Sequence, residues 1–120
     1  MAQQKFDLED RLIDFAIMID NTLEQLPGTK LGKQLAGQMI RCGTSPALNY
    51  GEAQAAESIN DFIHKCKVIL KELREVRVCL KIIRKKPLLP KEKTDTELQE
   101  NNELIAIFLK SIDTAKRNKK

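Results

Sequence analysis

Eight apolar residues, Ile59, Phe62, Cys66, Ile69, Leu73, Val76, Leu80 and Ile83, recur at alternating intervals of three and four without a break. A strand puts every second side chain on one face, so this spacing excludes a strand and specifies a helix with one apolar seam. The seam repeats every seven residues, the pattern by which helices pack on helices. Ile63 and Leu70 widen it to the broader face of a bundle core. The run 58–61, SIND, resembles a capping box with Asp61 in place of Glu. A helix is therefore expected over 59–86, roughly 40 Å long at the helical rise per residue. Pro87 and Pro90 end it, because proline cannot continue a helix.

A single seam has to be covered, and three further segments offer the surface. Leu8, Leu12, Phe15, Ile19, Leu23 and Leu26 predict a helix over 7–26. Glu9 and Asp10 suit the positive end of its dipole, and Pro27-Gly28 stops it. Thr29 reads as the N-cap of a second helix over 30–56, with Leu31, Leu35, Met39 and Ile40 as its stripe. That helix meets IRCGTSPALNYGEA, 40–53, which concentrates helix-weak residues. Either it stops near Gly43 and restarts with Thr44 or Ser45 as cap and Pro46 in the first turn. Or one long helix is kinked at Gly43–Pro46, its lost hydrogen bond covered by Thr or Ser; a continuous or kinked helix to about Ala56 is the favoured reading. In both cases Gly43, Ala47, Gly51, Ala53, Ala55 and Ala56 offer a low surface for close approach of another helix. A fourth helix is expected over 95–116, opened by the capping-box pattern TDTE at 94–97. Leu98, Asn101, Ile105, Phe108, Ile112 and Ala115 keep its seam, flanked by Leu104 and Leu109. KKPLLPKEK reads as a short basic linker and KRNKK as a frayed tail. The expected fold is all-α, an antiparallel up-down-up-down four-helix bundle in one domain, 1–120. At 120 residues the chain is long enough to bury one core.

Net charge is +4, and its distribution is uneven. Residues 1–28 carry a net −4, whereas 58–93 carry eleven basic against four acidic groups. That segment suggests a basic surface facing an acidic partner, most often nucleic acid. In the frame of the third helix, Lys67, Arg74 and Lys81 share one outward position, and Lys71 and Lys85 the adjacent one. Such a stripe can contact successive phosphates. The plain alternative is a solvated helix face, neutralised in part by i,i+4 pairs such as Lys71–Glu75. Aromatic residues that would stack bases are missing from this face.

Enzyme chemistry has little support in the sequence. GTKLGKQ invites a phosphate-loop reading. Gly28 and Gly32 enclose three residues instead of four, however, and Gln34 stands where a hydroxyl should hold magnesium. Asp61 and His64 form an acid-x-x-His pair, but di-iron bundles need two such pairs and His64 is the only histidine. No catalytic, cofactor-binding or metal-ligating residues are assigned. The three cysteines read as reduced thiols, Cys66 as core. The first twelve residues lack the pattern of a signal peptide. Apolar runs such as FAIMI fall far short of the ~20 residues of a membrane helix. A soluble, cytoplasmic protein is expected.

QMIRCGTSPALNYGEAQAAES followed by DFIHKCKVILKELREV resembles the family of 23S rRNA intervening sequence proteins. Its pattern is matched by Gln38, Arg41, Gly43, Thr44, Ser45, Asn49, Glu52, Ala53, Asp61, Phe62, Lys65, Lys71, Glu72 and Glu75. In helix order the resemblance covers about residues 8–115. Pro46 stands where the family usually has an apolar residue, and RVCLKII lacks an aromatic pair often found there. The resemblance implies a four-helix bundle assembled as a ring-shaped homopentamer. Relatives include the accessory protein of diversity-generating retroelements, a basic barrel implicated in nucleic-acid binding. Asn49 and Glu52 are expected to satisfy backbone or neighbouring-helix groups. The function expected is a non-enzymatic homo-oligomer that binds RNA or DNA through Lys67, Lys71, Arg74, Lys81 and Lys85, with Arg41 as a weaker addition. The alternative is a scaffold whose basic face meets an acidic protein partner.

Overall fold

The computed structural model describes residues 7–119, which form four helices. These are α1 (Leu8–Leu23), α2 (Lys30–Gln54), α3 (Ile59–Lys85) and α4 (Glu92–Arg117). Each helix packs on its neighbours in chain order, and α1 also meets α4. Cross-helix pairs run in opposite directions. Gln38 meets Glu75 and Glu52 meets Lys65 between α2 and α3, while Asn101 meets Leu73 and Asp95 meets Arg84 between α3 and α4.

The helix starts follow local chemistry at three of four places. The Asp7 carboxylate accepts from Asp10 N–H, the Thr29 hydroxyl from Gly32 N–H, and the Ser58 hydroxyl from Asp61 N–H. Asp61 returns the contact weakly, accepting from Glu57 N–H at 3.4 Å. The fourth start departs from the sequence expectation. The helix begins at Glu92, with Lys91 as a cap that makes no side-chain bond. Thr94 is fully buried and donates back to the Lys91 carbonyl, so its hydroxyl is spent inside the first turn. At the other end α4 stays helical through Arg117, where a frayed tail was expected.

α2 is one unbroken helix with Pro46 inside it. Pro46 has no N–H for the Cys42 carbonyl. The Thr44 hydroxyl, expected as cover for that carbonyl, donates instead to the Ile40 carbonyl at 2.7 Å and the Arg41 carbonyl at 3.3 Å. Asn49 donates to the Ser45 carbonyl and hydroxyl, and the exposed Glu52 accepts from Lys65 in a surface ion pair between α2 and α3. The small residues do not form one surface. Gly43 faces α1, where an added Cβ would lie 2.9 Å from the Ile19 Cγ2 methyl. Gly51 faces outward with nothing near it.

The core joins all four helices. From Cys66 to Ile83 every seam residue of α3 is buried, but Ile59 is exposed and Phe62 only half-buried, Ile63 taking the core position there. In α4 Leu104 is fully buried while Leu109 is 45% exposed. Leu88 and Leu89 of the linker pack into the core as well. α1 ends at Leu23, three residues short of the expected Leu26. Its buried Thr22 donates to the buried Glu97 carboxylate of α4 at 2.6 Å, and Arg11 bridges Glu100 and Glu103.

Candidate nucleic-acid interface

Helical geometry brings Lys67, Lys71, Arg74, Lys81 and Lys85 into about 80° of arc over roughly 27 Å of α3. All five are exposed. The core of α3 lies on its opposite side, and α2 and α4 flank it, so the stripe faces solvent. Among the described residues none of the five has a carboxylate within ion-pair distance. The Lys71–Glu75 pair weighed from the sequence does not form. Glu75 turns to α2 and accepts from Gln38 Nε2 at 2.9 Å.

Val78, 57% exposed, sits in the middle of the stripe, a position the charge pattern alone did not single out. With Lys71, Arg74 and Gln38 it lines a shallow cleft of about 350 Å³ between α2 and α3. Arg41 stands apart from the other five. It is exposed on α2 and donates to Gln38 Oε1 at 3.1 Å, and like Lys71 of the stripe it acts on the Glu72 carboxyl.

Glu75 and Lys71 of this cleft belong to a titratable cluster with Glu72. The Glu72 carboxyl is held above its ordinary range by partial burial first, then by its hydrogen bond and charge interaction with Glu75, against the pull of Arg41 and Lys71. A carboxyl that holds its proton more tightly in the fold than in the open chain weakens the fold once ionised. Stability from this group therefore rises as pH falls through the carboxylate range. Glu72→Gln is expected to raise the melting temperature at pH 7, with the gain shrinking towards about pH 4. Thermal melts at both pH values check this.

The three cysteines are unbridged and buried. The Cys42 thiol is raised by its hydrogen bond to Cys79 and by burial, and burial pushes Cys66 up to about 11. Cys42 and Cys66 therefore pack as apolar groups, whereas the Cys79 thiol is lowered by its hydrogen bond with Cys42, against the effect of burial. His64 is exposed, and Asp61 beside it serves as part of the α3 cap.

A second outward surface lies on α1 and α2. Ile13, Ile17, Ile40 and Leu48 are exposed, Leu48 by 70%. At 100° per residue, Gly37, Ile40, Leu48 and Gly51 share the outer side of α2. A Cβ at Gly37 or Gly51 would meet nothing within 4 Å, so nothing within the bundle calls for glycine there. Among the described residues no helix is long and apolar enough to cross a membrane.

A crystal structure of a protein of unknown function from the S23 ribosomal protein family of Bacteroides thetaiotaomicron has a similar fold. It is 25% identical, with a TM-score of 0.78 over 88% of this chain and 98% of that one. No curated protein matches the sequence. Residues 4–110 match the sequence profile of the 23S rRNA-intervening sequence proteins. With that match over most of its length and this fold, the chain belongs to the 23S rRNA-intervening sequence protein family.

Proposed function

We propose that this chain is a non-enzymatic, cytoplasmic homo-oligomer, a pentamer on its family's pattern, that binds RNA or DNA through phosphates. The observation that carries the reading is the α3 stripe of five exposed cations without ion-pair partners among the described residues. Uncompensated cations on a rigid helix hold condensed anions with little reorganisation, and each phosphate contact releases counterions. The face has no aromatic platform, so contact through the backbone of a structured nucleic acid fits better than base reading.

Self-association is supported by the outer side of α2. Exposed glycines within a helix cost stability relative to alanine, about 1 kcal/mol each. Exposed Ile40 and Leu48 add unfavourable apolar surface. A second copy covering this side would account for both. Leu48→Glu is expected to convert the assembly to monomers with unchanged helix content in sedimentation velocity and circular dichroism. An unaltered oligomer would move the contact away from α2.

The binding experiment uses the full chain in fluorescence anisotropy with structured RNA, duplex DNA and poly-glutamate at low salt. Binding of either nucleic acid ahead of poly-glutamate supports the proposal. Preference for poly-glutamate moves the reading to a scaffold for an acidic protein.

A further inference from the structure

The end of α3 and the start of α4 form a recess that the stripe alone does not explain. It encloses about 440 Å³ and is lined by Lys81, Arg84, Lys85, Lys91 and Leu98. Lys81 and Lys85 belong to the stripe. Arg84 lies on the side of α3 towards α4, and Lys91 comes from beyond the linker. Four cations thus surround one small volume, three from the last turns of α3 and Lys91 from the residue that precedes α4.

Two of these cations already converge on a single oxygen. Arg84 Nη2 lies 3.2 Å and Lys91 Nζ 3.5 Å from the same Asp95 Oδ1. That carboxylate oxygen marks a point where two positive groups meet an oxyanion. Asp95 is half-exposed, and it answers two of four charges, leaving Lys81 and Lys85 without an acid partner among the described residues. The buried Leu98 gives the recess an apolar wall, which strengthens charge interactions beside it.

We propose that this recess seats a compact oligophosphate, with phosphate oxygens taking the place of Asp95 Oδ1 between Arg84 and Lys91. Adjacent phosphate groups concentrate several negative charges in the space of one recess. An acidic peptide spreads one charge per residue along an extended chain. The planar fork of Arg84 suits a phosphate edge, and the lysines act as point charges around it. Asp95 is then an internal competitor that holds Arg84 and Lys91 in place and lowers affinity until phosphate displaces it. The inference rests on the reading that this basic surface meets phosphate, and it fixes where the densest contact lies.

The test is calorimetric titration of the full chain with tripolyphosphate at low salt, alongside a short structured RNA and poly-glutamate. Asp95→Asn should tighten tripolyphosphate binding by about 5-fold, because it frees two cations from a surface pair. Arg84→Gln with Lys91→Gln should weaken it by about 10-fold or more. Lys67→Glu, far along the stripe and outside the recess, should weaken it far less than the double variant does. Thermal melts of each variant check that the fold is intact. The seat is overturned if Asp95→Asn leaves affinity unchanged or weakens it, if poly-glutamate binds the recess as well as tripolyphosphate does, or if Lys67→Glu weakens tripolyphosphate as much as the double variant. RNA binding without tripolyphosphate binding also overturns the seat, but leaves the nucleic-acid reading standing. Tripolyphosphate binding that meets these expectations without RNA binding supports the seat and removes that reading.

Discussion

Phe108→Ala is expected to lower the unfolding free energy by about 3–5 kcal/mol, a large share of the stability of a domain this size. Phe108 is fully buried on the α4 seam. Its ring meets Tyr50 of α2 edge to face, with centroids 5.9 Å apart and planes at 78°. Truncation removes that contact and leaves a void where helices on several sides hold their positions. Leu104, one turn earlier on α4, is itself fully buried, so collapse around the void would have to move whole helices. Urea unfolding should give a lower midpoint with an unchanged slope. A loss below about 1 kcal/mol would mean that the bundle repacks freely at this layer.

Reversing Lys67, Arg74 and Lys81 together to Glu is expected to weaken binding to structured RNA by about 100-fold or more at 0.1 M salt. Three lost contacts correspond to two to three decades in affinity at that concentration, before any repulsion is added. The salt slope should fall by about 3. Because all three side chains are exposed and make no ion pair among the described residues, the melting temperature should hardly change. A variant that binds as the parent does would remove α3 from the interface, whatever the protein binds.

The helical scaffold was legible because apolar periodicity acts locally. Each stripe, from Leu8 to Ile19 on α1 and from Cys66 to Ile83 on α3, is buried where its spacing places it. Helix ends were less legible, since two chemistries compete for one residue. Thr94 has the side chain and the spacing of a cap, yet the chain turns helical at Glu92 and buries it. The stretch around Pro46 allowed two readings, and packing chose between them. Gly43 lies against Ile19 in a continuous helix that a break would have redirected.

The candidate interface was legible only in part for the same reason. Five lysines and arginines of α3 share one outward arc by sequence arithmetic alone. The fate of their potential partners depended on α2, because Gln38 takes Glu75 away from Lys71. Arg84, Lys91 and Asp95 were not singled out. Arg84 falls off the stripe, Lys91 sits past a linker, and only the turn between α3 and α4 brings them to one oxygen. The dense basic run from Lys81 to Lys91 was the available signal, but it carries no information about which charges converge. Thr22 and Glu97 likewise meet only through the packing of α1 on α4.

The central claim is that phosphates are bound by the exposed cations of α3. The most direct measurement is the affinity of the unaltered protein for one structured RNA across a salt series from about 0.05 to 0.3 M. Five phosphate contacts predict that log K falls linearly with log salt at a slope of about −4. A slope near zero with retained binding would contradict the account, because it would mean that the contact is made without these charges.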